Sequence, residues 1–364
     1  MVNSENIEST INKLSELKTK QGFQNNTWDE WIKSVLAPNT VSIKDTIEKE
    51  LNNVTFDRFY DQWVKNFSLN LENIWNGYSA RKLMPNKKSH PKASIVIGRG
   101  PSLLKNDHLQ ILENSTFTDS IVCCDGALPT VLENNVNPEN FENFFVVTID
   151  AQIHQKKIYE HEMTKKFGKN IKCILSTTVP PSTYYAAKDA GMEIYWLHTL
   201  FDYDKGPSSF NNISGIMTRS KNHEKGLPAI QTGGNVGTSS WVIAWSILKS
   251  DIVCLIGLDQ GYLEETDLKS IDYHKFPKEI LEHNDVFEQA FPLIYNPDFD
   301  CNCRQDPIFQ YYSNALKDFI NSASQRVTTY NATEGGALFG KNIHCIKFKE
   351  FLLNYENNSL KFNY

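Results

Sequence analysis

Ser94-Ile95-Val96-Ile97-Gly98-Arg99-Gly100-Pro101-Ser102-Leu103 sets an apolar run of strand length against a glycine turn and then a segment of helix length. Two glycines let the backbone turn sharply and approach a neighbour closely, and the first amides of a following helix favour an anionic group. The same order recurs downstream. Strand-length apolar runs at 94–97, 121–124, 144–149, 173–176, 193–197, 252–256, 326–330 and 345–348 alternate with amphipathic stretches at 103–113, 127–134, 155–166, 182–190, 236–249 and 308–323. Strands alternating with helices of this length predict an α/β fold, a mostly parallel sheet flanked by helices.

The first part of the chain has a different texture. Ile7, Ile11, Leu14 and Leu17 fall on one face of a helix, and further helical stretches are expected at 28–35, 41–51 and 56–75. The polar segment 82–91, with two prolines and no periodicity, reads as a linker. A helical N-terminal region, 1–88, and an α/β domain, 89–364, are therefore expected. Trp28, Trp31, Phe56, Phe59, Tyr60 and Trp63 form either a small helical core or a surface through which the N-terminal helices meet a protein partner.

A chain of 364 residues with 40% hydrophobic and 22% charged residues has the composition of a folded protein. Its net charge of −6 argues against nucleic acid as a partner, since phosphates are met by clustered Lys and Arg. Seven cysteines without a CxxC pair argue against zinc, and their odd number suits a reducing compartment. Residues 1–20 lack the apolar core of a signal peptide, and no apolar run reaches the roughly 18 residues of a membrane span. A cytoplasmic protein without a transmembrane segment is expected.

In open parallel sheets, ligands settle beyond the carboxyl ends of the strands, so the residues that follow each apolar run carry the chemistry. The first run ends in Gly98, Gly100 and Ser102, without the third glycine of a dinucleotide fingerprint or the lysine of a P-loop. The second and third end in Asp125-Gly126-Ala127 and Thr148-Ile149-Asp150. Two carboxylates so placed could hold a hydroxyl, a metal ion or the polar part of an acceptor, whereas Asp125 alone could equally cap the helix near Ala127. Gly233-Gly234-Asn235 opens another helix, Asp259-Gln260 follows the 252–256 run, and Asn331-Ala332-Thr333-Glu334-Gly335-Gly336 follows a late one. His198 and His274 are the histidines nearest these positions, although a lone histidine is more often a surface or core residue. No GxSxG nucleophile pattern occurs, and Trp196, Trp241 and Trp245 read as core packing.

In this order, Ile95 to Leu103, Asp125-Gly126-Ala127, Val147-Thr148-Ile149-Asp150, Gly233 to Gly237, Ile256-Gly257-Leu258-Asp259-Gln260-Gly261-Tyr262 and Asn331 to Ala337 resemble the motility accessory factor (Maf) proteins and the 6-hydroxymethyl-7,8-dihydropterin diphosphokinase (MptE)-like proteins, over about residues 90 to 345. The resemblance implies a Rossmann-like domain that uses a nucleotide donor. It implies two chemistries: transfer of a nonulosonic sugar from a CMP donor to a protein hydroxyl, or transfer of a diphosphate from ATP to a pterin hydroxymethyl group with Mg²⁺. The chain reads Thr148-Ile149-Asp150-Ala151 where the diphosphokinase branch carries the paired-acid TDLDG, which weakens a metal-dependent mechanism. The Asp259-Gln260 and Asn331 to Gly336 segments are more similar to the Maf side, although the spacing from Tyr262 to His274 departs from it.

The leading expectation is thus a glycosyltransferase, with a pterin diphosphokinase and a non-catalytic nucleotide-binding or scaffold protein as alternatives. Gly98, Gly100, Ser102, Gly233, Gly234, Asn235, Gln260, Glu334 and Gly335 are expected at the nucleotide, and Asp125, Asp150, Asp259 and His274 at the chemistry. Asp125 and Asp150 would take the metal if Mg²⁺ is used.

Overall fold

A computed structural model of the chain describes residues 43–85, 92–268 and 291–362. Its centre is a ten-stranded sheet. The strands are β1 (Tyr78–Ser79), β2 (Ala93–Ile97), β3 (Ser120–Cys124), β4 (Phe144–Thr148), β5 (Lys172–Ser176), β6 (Glu193–Thr199), β7 (Ala229–Ile230), β8 (Ile252–Ile256), then β12 (Thr328–Asn331) and β13 (Ile343–Cys345). The strands numbered between β8 and β12 lie in a separate small antiparallel sheet: β9 (Tyr262–Leu263), β10 (Leu293–Asn296) and β11 (Cys301–Arg304). The order across the large sheet is β1-β6-β5-β4-β3-β2-β8-β12-β13, with β7 beside β6, and its pairings are parallel.

This is a Rossmann-like α/β fold. From β2 the chain lays down β3 to β6 toward one edge, then returns to the other side of β2 with β8, β12 and β13. The order therefore reverses between β2 and β8, which is where such sheets open a crevice at their carboxyl edge.

Alternation along the strands explains the layers. Ile95 and Ile97 of β2 point into one core with Ile121, Phe144, Leu175 and Trp196, while Val96 joins Val122, Val147, Ile174 and Leu255 on the opposite face. Helices Val236–Ser246 and Pro307–Ala323 cover the second face through Trp241, Ile243, Leu316 and Ile320. Trp196 and Trp241 are fully buried, as core residues.

Several elements differ from the sequence expectation. The stretches 41–51 and 56–75 form one helix, Ile43–Asn76, since no glycine or proline interrupts them. The expected helix 103–113 is broken into Ser102–Lys105 and His108–Glu113 by Asp107 at φ 52°, where Asn106 turns its amide to the carbonyls of Thr333 and Glu334. The helix expected at 155–166 breaks at His161, whose ring accepts from Met163 N–H. The strand expected at 345–348 stops at Cys345, and Phe348 instead opens the helix Phe348–Glu356, its N–H bonded to Glu334 Oε1 at 3.0 Å.

The described part of the N-terminal region packs on the sheet, and residues 86–91 of the expected linker lie outside the described residues. Phe67 meets Phe210 edge-on at 5.2 Å, and Trp63 lies 4.4 Å from Phe201. Tyr60 packs edge-on against the same two phenylalanines. Trp28 and Trp31 lie outside the described residues, as do the helices expected at 7–17 and 28–35.

Two buried asparagines lock this helix across the carboxyl ends of β4 and β5. Asn66 Nδ2 donates to the carbonyls of Ala151 (3.2 Å) and Thr178 (2.9 Å), and Asn70 Nδ2 donates to Val179 O at 2.7 Å. Those carbonyls follow strands and have no ladder partner to turn to. Replacing Asn70 by Ala leaves a buried acceptor unpaired, so Asn70→Ala is expected to lose about 1–3 kcal/mol of stability, read from the urea midpoint.

Candidate functional site

The loops that follow β2 and β8 press against each other at the reversal point. Gly98 N–H donates to Ile256 O at 2.9 Å and Gly100 N–H to Gly257 O at 2.8 Å. A Cβ at Gly98 would collide with the Gly257 carbonyl, and one at Gly100 with the Asp259 carboxylate. These glycines therefore make room for protein. Ser102 Oγ donates to Asp259 Oδ2 at 2.8 Å, and the Ser102 N–H reaches Oδ1 at 3.3 Å. The third loop, after β12, closes on the same residue: Ala337 N–H donates to Asp259 O at 2.8 Å, and a Cβ on Gly336 would strike the Asp259 backbone.

Next to this knot, at the ends of β3 and β4, lie the other two acids. Asp125 is 4% exposed, its Oδ1 accepts from Gly126 N–H at 2.7 Å, and its Oδ2 has no hydrogen-bond partner among the described residues. It opens a 3₁₀ turn but does not cap the helix that follows, Leu128–Glu133, with its side chain. Burial pushes its pKa up to about 6, partly offset by the Thr148 hydroxyl and the Gly126 N–H; the charge of Asp150 adds to the rise and that of Arg99 opposes it. Burial likewise raises Asp259 to about 6 against the stabilising contacts of Ser102. Asp150 accepts from Gln152 N–H (2.9 Å) and from Gln155 Nε2 (2.8 Å), so each of its oxygens already has a donor.

The Gly233-Gly234 turn adopts positive φ (56° and 83°), and its Cβ positions are taken by Thr238 and by the rings of Tyr312 and Tyr311. Asn235 caps the helix Val236–Ser246, accepting from Thr238 N–H at 2.9 Å. A Cβ on Gly237 in that helix's first turn would touch Leu258, so this helix N-terminus stands beside the loop after β8. Gln260 is at φ 51° and its carbonyl accepts from Gln305 Nε2 at 2.8 Å. Glu334 is engaged by Phe348 N–H and by His108 Nε2 at 3.4 Å, whereas Gly335 faces open space.

The structure thus brings Gly98, Gly100, Ser102, Asp259, Gln260 and the 334–337 turn into one knot, with Asp125, Asp150 and the start of helix Val236–Ser246 alongside. His274 lies outside the described residues. His198 is elsewhere, at the end of β6. Its Nδ1 meets Thr177 Oγ1 at 2.6 Å, and its Nε2 meets Asn211 and Ser214; burial lowers its pKa to about 4, so it is a neutral structural residue near pH 7. Sequence reasoning passed over Arg99, whose only signal was a cation inside a glycine turn, and Thr148 with Tyr159, whose hydroxyls meet at 2.6 Å beneath Asp125. Among the described residues no group of three or more His, Cys, Asp or Glu could hold a metal ion. A cleft of about 550 Å³ lies on the same edge, lined by Gln62, Lys65, Asn66, Ile153, Pro180 and Ser182.

A family profile described as "6-hydroxymethylpterin diphosphokinase MptE-like" matches residues 65–265, more than half of the chain. A solved structure described as the MAf glycosyltransferase from Magnetospirillum magneticum AMB-1 superposes with a TM-score of 0.53 at 13% sequence identity, over 81% of this chain and 42% of that one. The likeness at that identity is one of fold, and the chain spans less than half the length of that neighbour. No curated protein matches the chain. No helix among the described residues is long and apolar enough to cross a membrane.

Two outcomes follow from the packing and the electrostatics. Gly100→Ala is expected to cost about 1–3 kcal/mol, because a methyl group must displace Asp259, whereas Gly335→Ala is expected to stay within about 0.5 kcal/mol; urea midpoints of both variants test the contrast. Asp125 and Asp259 have folded pKa values raised above the ordinary 3.8 to about 6, so the folded state binds more protons than the unfolded state in between. Their contribution to stability is complete below pH 3.8 and is lost as the pH rises through 6. Asp125→Asn is expected to flatten the fall of the thermal midpoint with pH across that window.

Proposed function

The chain belongs to the 6-hydroxymethylpterin diphosphokinase MptE-like family, and from that premise we propose that it is a nucleotide-dependent transferase that moves a glycosyl group, of nonulosonic type, from a CMP-sugar donor to a hydroxyl acceptor. The observation that carries the reading is Asp125: a carboxylate buried at a strand end beside the reversal point, with one oxygen uncommitted and a pKa near 6.

Transfer of a sugar to a hydroxyl needs a group that takes the acceptor proton as the new bond forms, and a carboxylate poised near neutrality suits that task. Asp125 Oδ2 is the oxygen available for it. The leaving CMP keeps the electron pair of the broken bond on its phosphate, and stabilising that charge would carry much of the rate. The N–H groups of Val236 and Gly237, at the start of helix Val236–Ser246, supply donors, because a helix start leaves N–H groups without intrahelical partners and Asn235 caps only that of Thr238. Asp259, held by Ser102, keeps the loops in register and is a second group that can hold a proton near neutral pH. The cleft beside Asn66 and Ile153 adjoins the Asp150 turn and offers the acceptor an approach.

The alternative reading, diphosphate transfer from ATP to a pterin hydroxymethyl group, draws support from the electrostatic coupling of Asp125 and Asp150. Mg²⁺ is commonly held through one or two carboxylates together with substrate phosphates, and Asp125 Oδ2 fits such a site. That ion would neutralise charge on the transferred phosphates. Both oxygens of Asp150 already accept hydrogen bonds, which leaves Asp125 Oδ2 as the one oxygen of the pair without a hydrogen bond among the described residues and favours glycosyl transfer.

A thermal-shift screen of CMP, CTP, ATP and GTP, each with and without Mg²⁺, separates these readings. A ligand at about 100 times its Kd should add about 2.7 kcal/mol of stability. Stabilisation by the cytidine nucleotides without metal is the expected result. Stabilisation by ATP alone, and only with Mg²⁺, transfers the assignment to the diphosphokinase, and no response to any nucleotide overturns both.

A further inference from the structure

Arg99 is the cation of the loop that joins β2 to helix Ser102–Lys105. Its side chain is exposed and makes no hydrogen bond or ion pair among the described residues. It is nevertheless placed. A Cβ built on Gly126 would lie 2.7 Å from Arg99 Cδ and 3.3 Å from Arg99 Nη1, so the side chain runs flat across the Asp125-Gly126 turn in the space that any other residue would fill. The same turn carries Asp125, 4% exposed, whose Oδ2 has no hydrogen-bond partner among the described residues and whose charge Arg99 favours. A guanidinium fork and a buried acceptor, neither with a hydrogen-bond partner among the described residues, therefore share one turn, within electrostatic reach of each other and next to the reversal of strand order.

Such a pair of groups asks for a ligand that carries an anion and a hydrogen-bond donor close together. A guanidinium offers parallel N–H donors that match phosphate oxygens, which a lysine cannot reproduce. An acceptor oxygen without a partner is costly to bury and is satisfied by a hydroxyl. We propose that Arg99 is the specificity-determining anion clamp of this site, taking the phosphoryl group of a nucleotide while a hydroxyl of the bound ligand donates to Asp125 Oδ2, and that residue 126 is glycine so that Arg99 can lie there. The proposal rests on the nucleotide-transferase reading above and adds to it the residue that distinguishes a nucleotide from a nucleoside.

Gly126 provides an internal control. In Gly126→Ala the atoms nearest the new methyl group all belong to the flexible side chain of Arg99, so the fold should be kept while the guanidinium is displaced. Binding of CMP, ADP and inorganic pyrophosphate, with cytidine and adenosine as phosphate-free partners, would be measured by calorimetry on the full chain. The variants are Arg99→Gln, Arg99→Lys, Gly126→Ala and the Arg99→Gln/Gly126→Ala double variant, with urea midpoints confirming that each is folded.

The expected result is a loss of about 10- to 100-fold for phosphate-bearing ligands in Arg99→Gln, the scale of one charged hydrogen-bonded contact, with nucleosides unchanged. Arg99→Lys should recover part of that loss. Gly126→Ala should reproduce most of it, and the double variant should be no weaker than Arg99→Gln alone. Losses that multiply in the double variant overturn the role given to Gly126. Wild-type affinity for CMP, ADP and pyrophosphate in Arg99→Gln overturns the clamp while leaving the nucleotide reading intact. If the wild-type chain binds none of the phosphates, the nucleotide reading falls and the clamp falls with it.

Discussion

The loops after β2 and β8 touch backbone to backbone, and the architecture around the site depends on that contact. Strands that run side by side but leave in different directions normally open a crevice between their loops. Here the lower part of that crevice is filled: the carbonyls of Ile256 and Gly257 accept from the N–H groups of Gly98 and Gly100, and no Cβ fits at either glycine. The third loop, from β12, is pinned to the same point through Ala337 and Asp259. Three connections far apart in sequence are thus tied to one residue, Asp259, the first through its carboxylate and the third through its backbone, and none can move without disturbing the others.

Crowding at this point sets the electrostatics of its surroundings. A carboxylate brought into a packed backbone knot loses water, and its charged form is disfavoured unless donors replace that water. Ser102 compensates Asp259 with two donors. Asp125 receives the Gly126 N–H on Oδ1 and some support from the Thr148 hydroxyl, while Oδ2 has no hydrogen-bond partner among the described residues. The helix Ile43–Asn76 extends the same principle over the neighbouring strand ends, where Asn66 and Asn70 replace solvent for carbonyls of the turns after β4 and β5.

Much of the sheet was legible because buried parallel strands have a plain signature, an apolar run of about five residues closed by glycine or an acid. Ile252–Ile256 is a clear case, preceded by Asp251, closed by Gly257 and buried along its whole length. Elements that rest on few residues were not legible. The two-residue strands β1 and β7 carry no periodicity, and the small sheet of β9, β10 and β11 is partly exposed, so its residues alternate weakly. The segment Cys345-Ile346-Lys347-Phe348 reads as a largely apolar run of strand length, yet Phe348 starts a helix, its N–H taken by Glu334, fourteen residues earlier in the chain.

By itself, the order of residues determined the α/β alternation, the two faces of each strand and the gathering of glycines and acids at the strands' carboxyl ends, since these follow from local periodicity and from which residues tolerate a turn. Tertiary structure decided what each of those residues does. Glycines that read as room for a ligand proved to be room for a neighbouring loop, Glu334 was drawn to a helix start, and Arg99 came to rest over Gly126. The reason is physical: a positive φ or a small side chain can be read from one residue, whereas a clash, a desolvated carboxylate or an unpartnered oxygen exists only once distant segments have been packed against each other.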